Sequence, residues 1–318
     1  MKRLLAFMFV TVVSLGVAAP DAARKPVVIA PGVTVGGVPV GGKMSEAART
    51  RVEAAFGRPL RLSFRDKQWR ISPRYLGASA GIDQAVSRAL RAAPRTRIKL
   101  QISAAQPRIR RYVARLDRLF SQDAVDTTVV GVAGSRPSFS SAKTGLAVEK
   151  EGMVQALTRA LRGTNRRAVT ELIVRDVQPR ITPSNYGPVV IVFRGSNKLS
   201  LFDGPRLVRT FGVATGSSEY PTPLGNYSVA TKQMNPWWIP PPDSDWAKDK
   251  KPVPPGPGNP LGTRWMGLTA PLVGIHGTPD AASIGYSASH GCIRMRVPEA
   301  EALFEQVSVG TPVLIVPS

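Results

Sequence analysis

The sequence predicts a multidomain protein in which an N-terminal α+β region, residues 27–180, precedes a mainly β C-terminal domain, residues 188–318. Three observations support this division. Helix and strand patterns alternate in the first region, and short strands separated by turn residues follow one another in the second. The positive charge is concentrated in the first region. A chain of 318 residues is long enough to bury two hydrophobic cores.

Residues 1–23 are predicted to be an export signal. Lys2 and Arg3 precede the apolar stretch Leu4–Val17, and small residues follow up to Ala23. The apolar stretch is shorter than the roughly 20 residues that a membrane-spanning helix needs. We therefore expect cleavage, with a permanent anchor as the alternative. The mature protein is expected in the periplasm or the cell wall.

Helix and strand signals alternate between residues 27 and 180. Apolar residues recur at helical spacing in four segments, and apolar and polar residues alternate in the segments between them. Ser45 is the expected N-cap of the first helix. The similar pentapeptides Ser87–Arg91 and Thr158–Arg162 suggest a duplicated α+β unit. The predicted helices are Ser45–Phe56, Gly81–Ala93, Pro107–Phe120 and Met153–Arg162, and the predicted strands are Leu60–Phe64, Gln68–Ile71, Ile98–Ile102, Val129–Val132 and Val169–Val174.

The net charge of +22 is unevenly distributed. Residues 21–180 contain 30 Lys and Arg against 12 Asp and Glu, whereas residues 181–318 contain 11 against 9. A basic surface attracts polyanions, and for an exported protein these are anionic cell-wall polymers or lipid headgroups rather than nucleic acid. The alternative is a basic, solvated surface with no specific partner.

The C-terminal domain begins as a series of short strands after a turn-rich linker, residues 183–188. Val189–Val192, Lys198–Phe202 and Leu207–Ala214 are predicted strands, and Asp203-Gly204 is typical of a hairpin turn. Strands at this spacing indicate a mainly β domain.

Four of the five tryptophans lie in the proline-rich stretch Asn235–Trp265. Proline removes a backbone donor, so this stretch is not expected to form a helix or a central strand. We predict an ordered loop that covers the functional site and offers an aromatic surface to a substrate. The alternative is a hydrophobic cover that packs on the β core.

The only cysteine, Cys292, and the only histidines, His276 and His290, lie in two clusters predicted to be turns, Ile275–Thr278 and Ser289–Arg294. A thiol becomes a nucleophile when it loses its proton, and an imidazole can accept that proton and later give it to a leaving amine. This pattern indicates acyl transfer through a thioester. The alternative is a buried structural cysteine with two core histidines. Export favours catalysis, because a single cysteine forms no internal disulfide.

The residues beside the thiol suit the same chemistry. Gly291 permits a sharp turn in which amide N–H groups can stabilise an oxyanion. Position alone leaves both histidines as candidate bases. Neither has an adjacent carboxylate in the sequence, so a backbone carbonyl or the Ser289 hydroxyl is expected to orient the base. Arg294 suits either a substrate carboxylate or a structural salt bridge.

Ser289-His290-Gly291-Cys292-x-Arg294, preceded by His276-Gly277, resembles the signature of the L,D-transpeptidase (YkuD-type) catalytic domain. The resemblance covers about residues 188–318, and Thr222–Tyr227 is similar to the family's Thr-Pro-x-Gly turn. It implies a YkuD-like β-sandwich and a cysteine acyltransferase that acts on peptidoglycan stem peptides. More loosely, Val38–Ala55 resembles the peptidoglycan-binding domains that often precede such catalytic domains.

The resemblance also implies roles for individual residues. Cys292 would be the nucleophile and His276 the proton acceptor and donor, with no cofactor and no metal. The implied supporting residues are His290, Ser289, Gly291 and Gly277, and the candidate substrate contacts are Arg294, Tyr286, Trp265 and Thr278.

The implied reaction releases D-alanine from a tetrapeptide stem and forms a 3→3 cross-link, with carbapenem-type β-lactams as expected inhibitors. Water as acceptor would make the protein an L,D-carboxypeptidase, and a protein amine would make it an anchoring enzyme. Papain-like peptidases place cysteine before histidine, and sortases lack Ser-His-Gly, so other thiol enzymes fit less well. A non-catalytic wall-binding protein remains the alternative of another class.

Overall fold

The computed structural model describes residues 27–162, 168–241 and 244–318, which form two compact units. Among these residues, the first unit contains those up to Arg118 together with Glu149–Ile173, and the second contains Leu119–Val148 and Val174–Ser318. The predicted export signal, residues 1–23, lies outside the described residues. No helix in the described ranges combines the length and apolar character needed to cross a membrane.

Helices and short strands alternate in the first part of the chain, as predicted. In chain order they are β1 (Thr34–Val35), β2 (Val38–Pro39), α1 (Ser45–Gly57), β3 (Leu60–Phe64), β4 (Lys67–Ile71), β5 (Ala78–Ala80), α2 (Ile82–Leu90), β6 (Arg97–Ile98), β7 (Ile102–Ala104), α3 (Gln106–Phe120), β8 (Val129–Ala133), β9 (Arg136–Phe139), β10 (Gly145–Val148), α4 (Lys150–Leu161), β11 (Val169–Glu171) and β12 (Val174–Val177).

In the first unit, α1 and α2 pack on the small sheet β2-β1-β6. The helical stripes predicted from the sequence are buried, and their small side chains let the helices approach closely: Ala48 and Val52 of α1 and Ala85 and Ala89 of α2 are fully enclosed. A second sheet has the order β11-β3-β4, and β5 pairs with β7. This confirms the predicted α+β character.

Three local predictions for this part of the chain are wrong. Helix α1 begins at Ser45 itself, after Met44, and has no side-chain cap. The predicted strand Ile98–Ile102 is interrupted, because only its two ends pair, in β6 and β7. The predicted strand Val169–Val174 is also divided, because β11 pairs with β3 whereas β12, which begins at Val174, pairs with β10 in another sheet.

The second unit contains the C-terminal strands and one helix. They are β13 (Pro188–Phe193), β14 (Lys198–Asp203), β15 (Arg206–Gly212), β16 (Thr215–Gly216), β17 (Gly225–Met234), β18 (Arg264–Leu268), β19 (Gly274–Thr278), β20 (Ser287–Ser289), β21 (Ile293–Arg296), α5 (Val297–Gln306) and β22 (Pro312–Val316).

Eight of these strands form one hydrogen-bonded series in the order β15-β14-β13-β22-β17-β18-β19-β21. Strand β17 pairs with β22 through its first residues and with β18 through its last, and its register shifts between Val229 and Thr231. Strands from both ends of this series, such as β14 and β21, contribute buried side chains to one hydrophobic core. Leu303 of α5 belongs to the same core. The unit is therefore mainly β, as predicted.

For the second unit, the predicted hairpin is confirmed and the predicted domain boundary stays a prediction. Strands β14 and β15 form the expected hairpin at Asp203-Gly204, with Asp203 opposite Arg206. By packing, residues 119–148 and 174–180 belong with the large sheet: Val129 and Phe139 contact the buried side chains of β13 and β14. The domain boundary between residues 180 and 188 stays a prediction about independent folding.

Candidate active site

Three adjacent strands place one row of side chains beside the thiol. Trp265 of β18 is opposite His276 of β19, and His276 is opposite Arg294 of β21. Directly opposite residues project from the same face of a sheet. The structure therefore brings together Trp265, His276 and Arg294, and all three line the cavity that Cys292 also lines.

Residues 289–292 carry the candidate nucleophile and are named the nucleophile turn. Two buried hydroxyl groups hold this turn. The Ser289 Oγ accepts a hydrogen bond from the Gly291 N–H at 3.1 Å and donates to the Cys292 carbonyl at 2.6 Å. The Thr222 Oγ1 donates to the Gly291 carbonyl at 2.9 Å and accepts from the Gly216 N–H at 2.8 Å. Gly291 has a φ of +110°, which only glycine adopts readily. These contacts fix the backbone that presents the thiol.

Cys292 is half-buried, and its Sγ lies 3.6 Å from the Leu272 carbonyl oxygen. Burial raises the pKa of the thiol, and a backbone hydrogen bond at Gly274 and the positive charge of Arg294 oppose that increase only in part. The resting group is therefore a protonated thiol that needs a base before it can attack.

His276 has the properties of such a base. The ring is buried, with 4% of its surface exposed, and Nδ1 lies 2.7 Å from the Gly277 carbonyl oxygen. Because a carbonyl only accepts, Nδ1 carries the proton and Nε2 keeps a lone pair. Burial lowers the pKa of His276 to about 4; the Gly277 hydrogen bond opposes this and Arg294 adds to it. The imidazole is thus neutral at pH 7, and a backbone carbonyl orients it.

His290 belongs to an aromatic cluster at the surface. Its ring stacks on Trp246, with centroids 3.9 Å apart and an interplanar angle of 16°, and lies 5.0 Å from the ring of Tyr220. Partial burial, then Arg294 and Lys250, lower the pKa of His290, and Glu219 opposes them. The imidazole therefore connects the nucleophile turn to the Trp246 segment.

The thiol and both imidazoles line one open cavity of about 750 Å³. Its opposite wall comes from the tryptophan loop, which we define as residues 235–263 between β17 and β18. The predicted loop is confirmed in this position, and Trp237, Trp238 and Trp246 line the cavity. The predicted loop ended at Trp265. In the structure the loop ends earlier, because Trp265 lies on strand β18.

Asn259 orders the tryptophan loop, and sequence reasoning missed it. Its buried Nδ2 lies within hydrogen-bond distance of the carbonyls of Pro236, Val253 and Pro254, at 3.0, 3.2 and 3.0 Å. Its Oδ1 accepts from the Leu261 N–H at 2.8 Å. An asparagine between glycine and proline is typical of a turn. The signal that could have identified it is the number of carbonyls in a proline-rich loop that need a donor.

Two residues predicted to contact the substrate, Tyr286 and Thr278, do not line the cavity. Tyr286 is 67% exposed and does not line the cavity. The Thr278 hydroxyl accepts from the Asp280 N–H at 3.2 Å at the far end of β19, which is a structural contact. Gly277, predicted as a supporting residue, holds His276 Nδ1 through its carbonyl and lies against Val297 of α5. The predicted turn Ile275–Thr278 is wrong, because these residues pair with β21 as part of a strand.

The described side chains include no group of three or more His, Cys, Asp or Glu residues that could hold a metal ion. The arrangement instead offers a thiol, a neutral imidazole and a guanidinium around an open cavity. This set of groups can take up and pass on an acyl group.

Comparisons with known proteins agree on one family. Residues 187–315 match the YkuD family model, described as the L,D-transpeptidase catalytic domain. The chain is 39% identical over 134 residues to "Putative L,D-transpeptidase YqjB" of Bacillus subtilis, covering 40% of this chain and 70% of that protein. It is 32% identical over 145 residues to "Putative L,D-transpeptidase YkuD" of Bacillus licheniformis, covering 44% and 75%.

Solved structures that align with the chain include the Ldtfm–avibactam carbamoyl enzyme and the L,D-transpeptidase from Mycobacterium smegmatis. Both are 16% identical to it, with TM-scores of 0.37 and 0.36. The first alignment covers 86% of this chain and 98% of the other, and the second covers 61% and 98%.

Proposed function

Because the chain belongs to the YkuD family of L,D-transpeptidases, we propose that it is a cysteine acyltransferase that forms 3→3 cross-links between peptidoglycan stem peptides. The observation that supports this most directly is the half-buried thiol of Cys292 in an open cavity that also contains the neutral imidazole of His276. A sealed structural cysteine would have no such access.

In the donor step, His276 Nε2 accepts the proton of Cys292, and Sγ attacks the carbonyl that joins the third stem residue to its terminal D-alanine. The carbon–nitrogen bond breaks, D-alanine leaves with the proton from His276, and a thioester remains on Sγ. Arg294 binds the terminal carboxylate, since a guanidinium suits that geometry. Backbone N–H groups of the nucleophile turn stabilise the oxyanion.

In the acceptor step, the side-chain amine of the third residue of another stem attacks the thioester. His276 accepts a proton from that amine and returns it to the sulfur as the carbon–sulfur bond breaks. Water in place of the amine gives L,D-carboxypeptidase activity, and a protein amine anchors that protein.

The N-terminal region supplies the attachment to the wall in this proposal. Residues 21–180 contain 30 Lys and Arg against 12 Asp and Glu, and the exposed face of α3 includes Arg108, Arg111 and Arg118. Electrostatic attraction would retain the exported protein on anionic wall polymers. Residues 1–23 are proposed to direct that export.

The test is to incubate the purified protein with disaccharide-tetrapeptides and to measure released D-alanine and cross-linked dimers by mass spectrometry. We expect both products from the wild type and neither from Cys292→Ala. D-alanine without dimers identifies the carboxypeptidase. Binding without any D-alanine release would instead support a non-catalytic wall protein.

A carbapenem supplies a second readout of the same thiol, because its strained amide acylates an activated nucleophile. Intact-mass spectrometry should show one adduct on the wild type and none on Cys292→Ala. An adduct that persists in the variant would place the reactive group elsewhere.

A further inference from the structure

The charge inside the cavity is one-sided. Among the residues that the structure describes, its walls include Lys250, Lys251 and Arg294 and no Asp or Glu. The C-terminal region is nearly neutral, with 11 Lys and Arg against 9 Asp and Glu in residues 181–318, so this local excess is not a consequence of overall composition. A cleft lined by charges of one sign favours a ligand of the opposite charge, here an anion.

Lys250 is held close to the nucleophile turn by a continuous stack. Its Nζ lies 5.5 Å from the ring centroid of Trp246, and Trp246 stacks on His290 at 3.9 Å. The Lys250 N–H donates to the carbonyl of Ala247, which is fully buried and fixes this turn of the tryptophan loop. The contact with Trp246 therefore places the ammonium of the exposed Lys250 beside this stack.

Two carboxylates that act on Tyr220 lie outside the cavity. Glu219 is hydrogen-bonded to the Tyr220 side chain, and Asp245 acts on the same tyrosine. Neither carboxylate lines the cavity. Arg294, assigned above to the terminal carboxylate of the donor, leaves Lys250 and Lys251 without a ligand in the proposed reaction.

We propose that Lys250 and Lys251 bind free carboxylates of the donor stem other than the terminal one, which makes the enzyme selective for stems that are not amidated. This inference rests on the proposed function. Stem peptides can carry a free carboxylate at two further positions. The second residue has one when it is linked to the third through its side-chain carboxyl. The third residue has one when its side chain ends in both an amine and a carboxylate. Amidation removes the negative charge and keeps the shape.

The cationic wall also affects the acceptor. A third residue with an ammonium group and no carboxylate would be repelled by Lys250 and Lys251. A third residue with both groups is locally neutral, so it can approach the thioester. The same two lysines therefore select for a carboxylate on both stems.

The test uses equilibrium binding and turnover in parallel. Four tetrapeptide donors are compared: both inner carboxylates free, the second residue amidated, the third amidated, and both amidated. Binding is followed by tryptophan fluorescence in the full chain carrying Cys292→Ala, because Trp237, Trp238 and Trp246 line the cavity. Release of D-alanine is measured with the thiol intact.

Each measurement is repeated in Lys250→Gln/Lys251→Gln and in a control, Lys198→Gln/Lys248→Gln. The control removes the same charge from exposed lysines that do not line the cavity. We expect the free-carboxylate donor to bind about 10-fold more tightly than the doubly amidated one, less so at high salt. That preference should vanish in the first double variant and persist in the control. The singly amidated donors show which carboxylate is bound.

Equal binding of all four donors to the otherwise unaltered chain would overturn the inference, as would an unchanged preference in the Lys250→Gln/Lys251→Gln protein. Failure of the proposed function looks different: no donor would release D-alanine with the thiol intact, whatever its binding. Selective binding without turnover would therefore support the lysine site and contradict the acyltransferase.

Discussion

Burial of one imidazole sets the protonation state of the candidate site. The His276 ring is enclosed, and Arg294 adds an unfavourable charge, so the pKa falls from its ordinary value near 6.5 to about 4. A protonated imidazole cannot act as a base. His276 becomes protonated only in strongly acidic solution. The Cys292 thiol has a raised pKa and stays protonated at neutral pH. The pair therefore rests in its neutral form, and in the proposed reaction the proton moves to His276 as the thiol attacks.

The activity of the site should depend on the protonation state of His276. We expect the rate of D-alanine release by the wild type to decrease on the acid side with a midpoint near pH 4, because only neutral His276 accepts the thiol proton. His276→Gln should lower kcat at least about 100-fold, as expected for removal of a general base. The measurement is the pH profile of kcat/KM.

His290→Gln is the matched control, because it alters the other imidazole. Its ring stacks on Trp246, so we expect a change mainly in KM and no shift in the acid midpoint. An acid midpoint that shifts or disappears in His290→Gln would instead identify His290 as the base.

At the scale of elements, the tryptophan loop depends on one buried amide group. Its two ends are joined by the Asn235 N–H, which donates to the Thr263 carbonyl at 2.8 Å, and Trp238 pairs with Val253 across the loop. Prolines remove donors, so carbonyls in the loop take their hydrogen bonds from the Asn259 side chain. The loop is thus ordered by polar contacts rather than by regular secondary structure.

We therefore predict that Asn259→Ala loosens the loop. The buried Pro236 carbonyl loses its donor, which costs about 1–3 kcal/mol, a large fraction of the stability of a local segment. Hydrogen exchange should accelerate in residues 236–262 with little change in β13 and β22, and kcat/KM should fall. Asn226→Ala, at an exposed position of β17, is the control. Unchanged exchange in the loop would show that other contacts order it.

The elements predicted correctly are those with local signals. Period-2 alternation identified β3 and β4, and Asp203-Gly204 identified the hairpin of β14 and β15. The role of Asn259 depends on a carbonyl 23 residues away, which no local pattern encodes. His276 looked like part of a turn because Gly277 follows it, yet pairing with β21 makes residues 275–278 a strand.

For the whole molecule, sequence reasoning anticipated the order of regions and the location of the thiol and both imidazoles in one stretch. It did not anticipate that each compact unit contains two segments of the chain, because packing decides which segments cluster. The charge difference between the regions could be read directly from the sequence, since it needs no knowledge of contacts.

That charge difference gives a prediction for the intact protein. Arg108→Gln/Arg111→Gln removes two exposed charges from α3, and Lys198→Gln/Arg206→Gln removes two from the second unit. In co-sedimentation with isolated cell-wall polymers, the first pair should weaken binding more than the second, and salt should weaken binding in all cases. Equal loss in both pairs would indicate attraction by net charge alone, without a basic face.

Two glycines and one indole form a set of positions that cannot vary separately. A methyl group added at Gly274 would overlap the six-membered ring of Trp265, and one added at Gly267 would crowd the indole nitrogen and the Thr231 hydroxyl. Residues 265, 267 and 274 thus share one volume behind His276. A descendant of this chain that acquires a side chain at position 274 needs a compensatory smaller residue at 265, and the wall behind the imidazole would then be rebuilt as a whole.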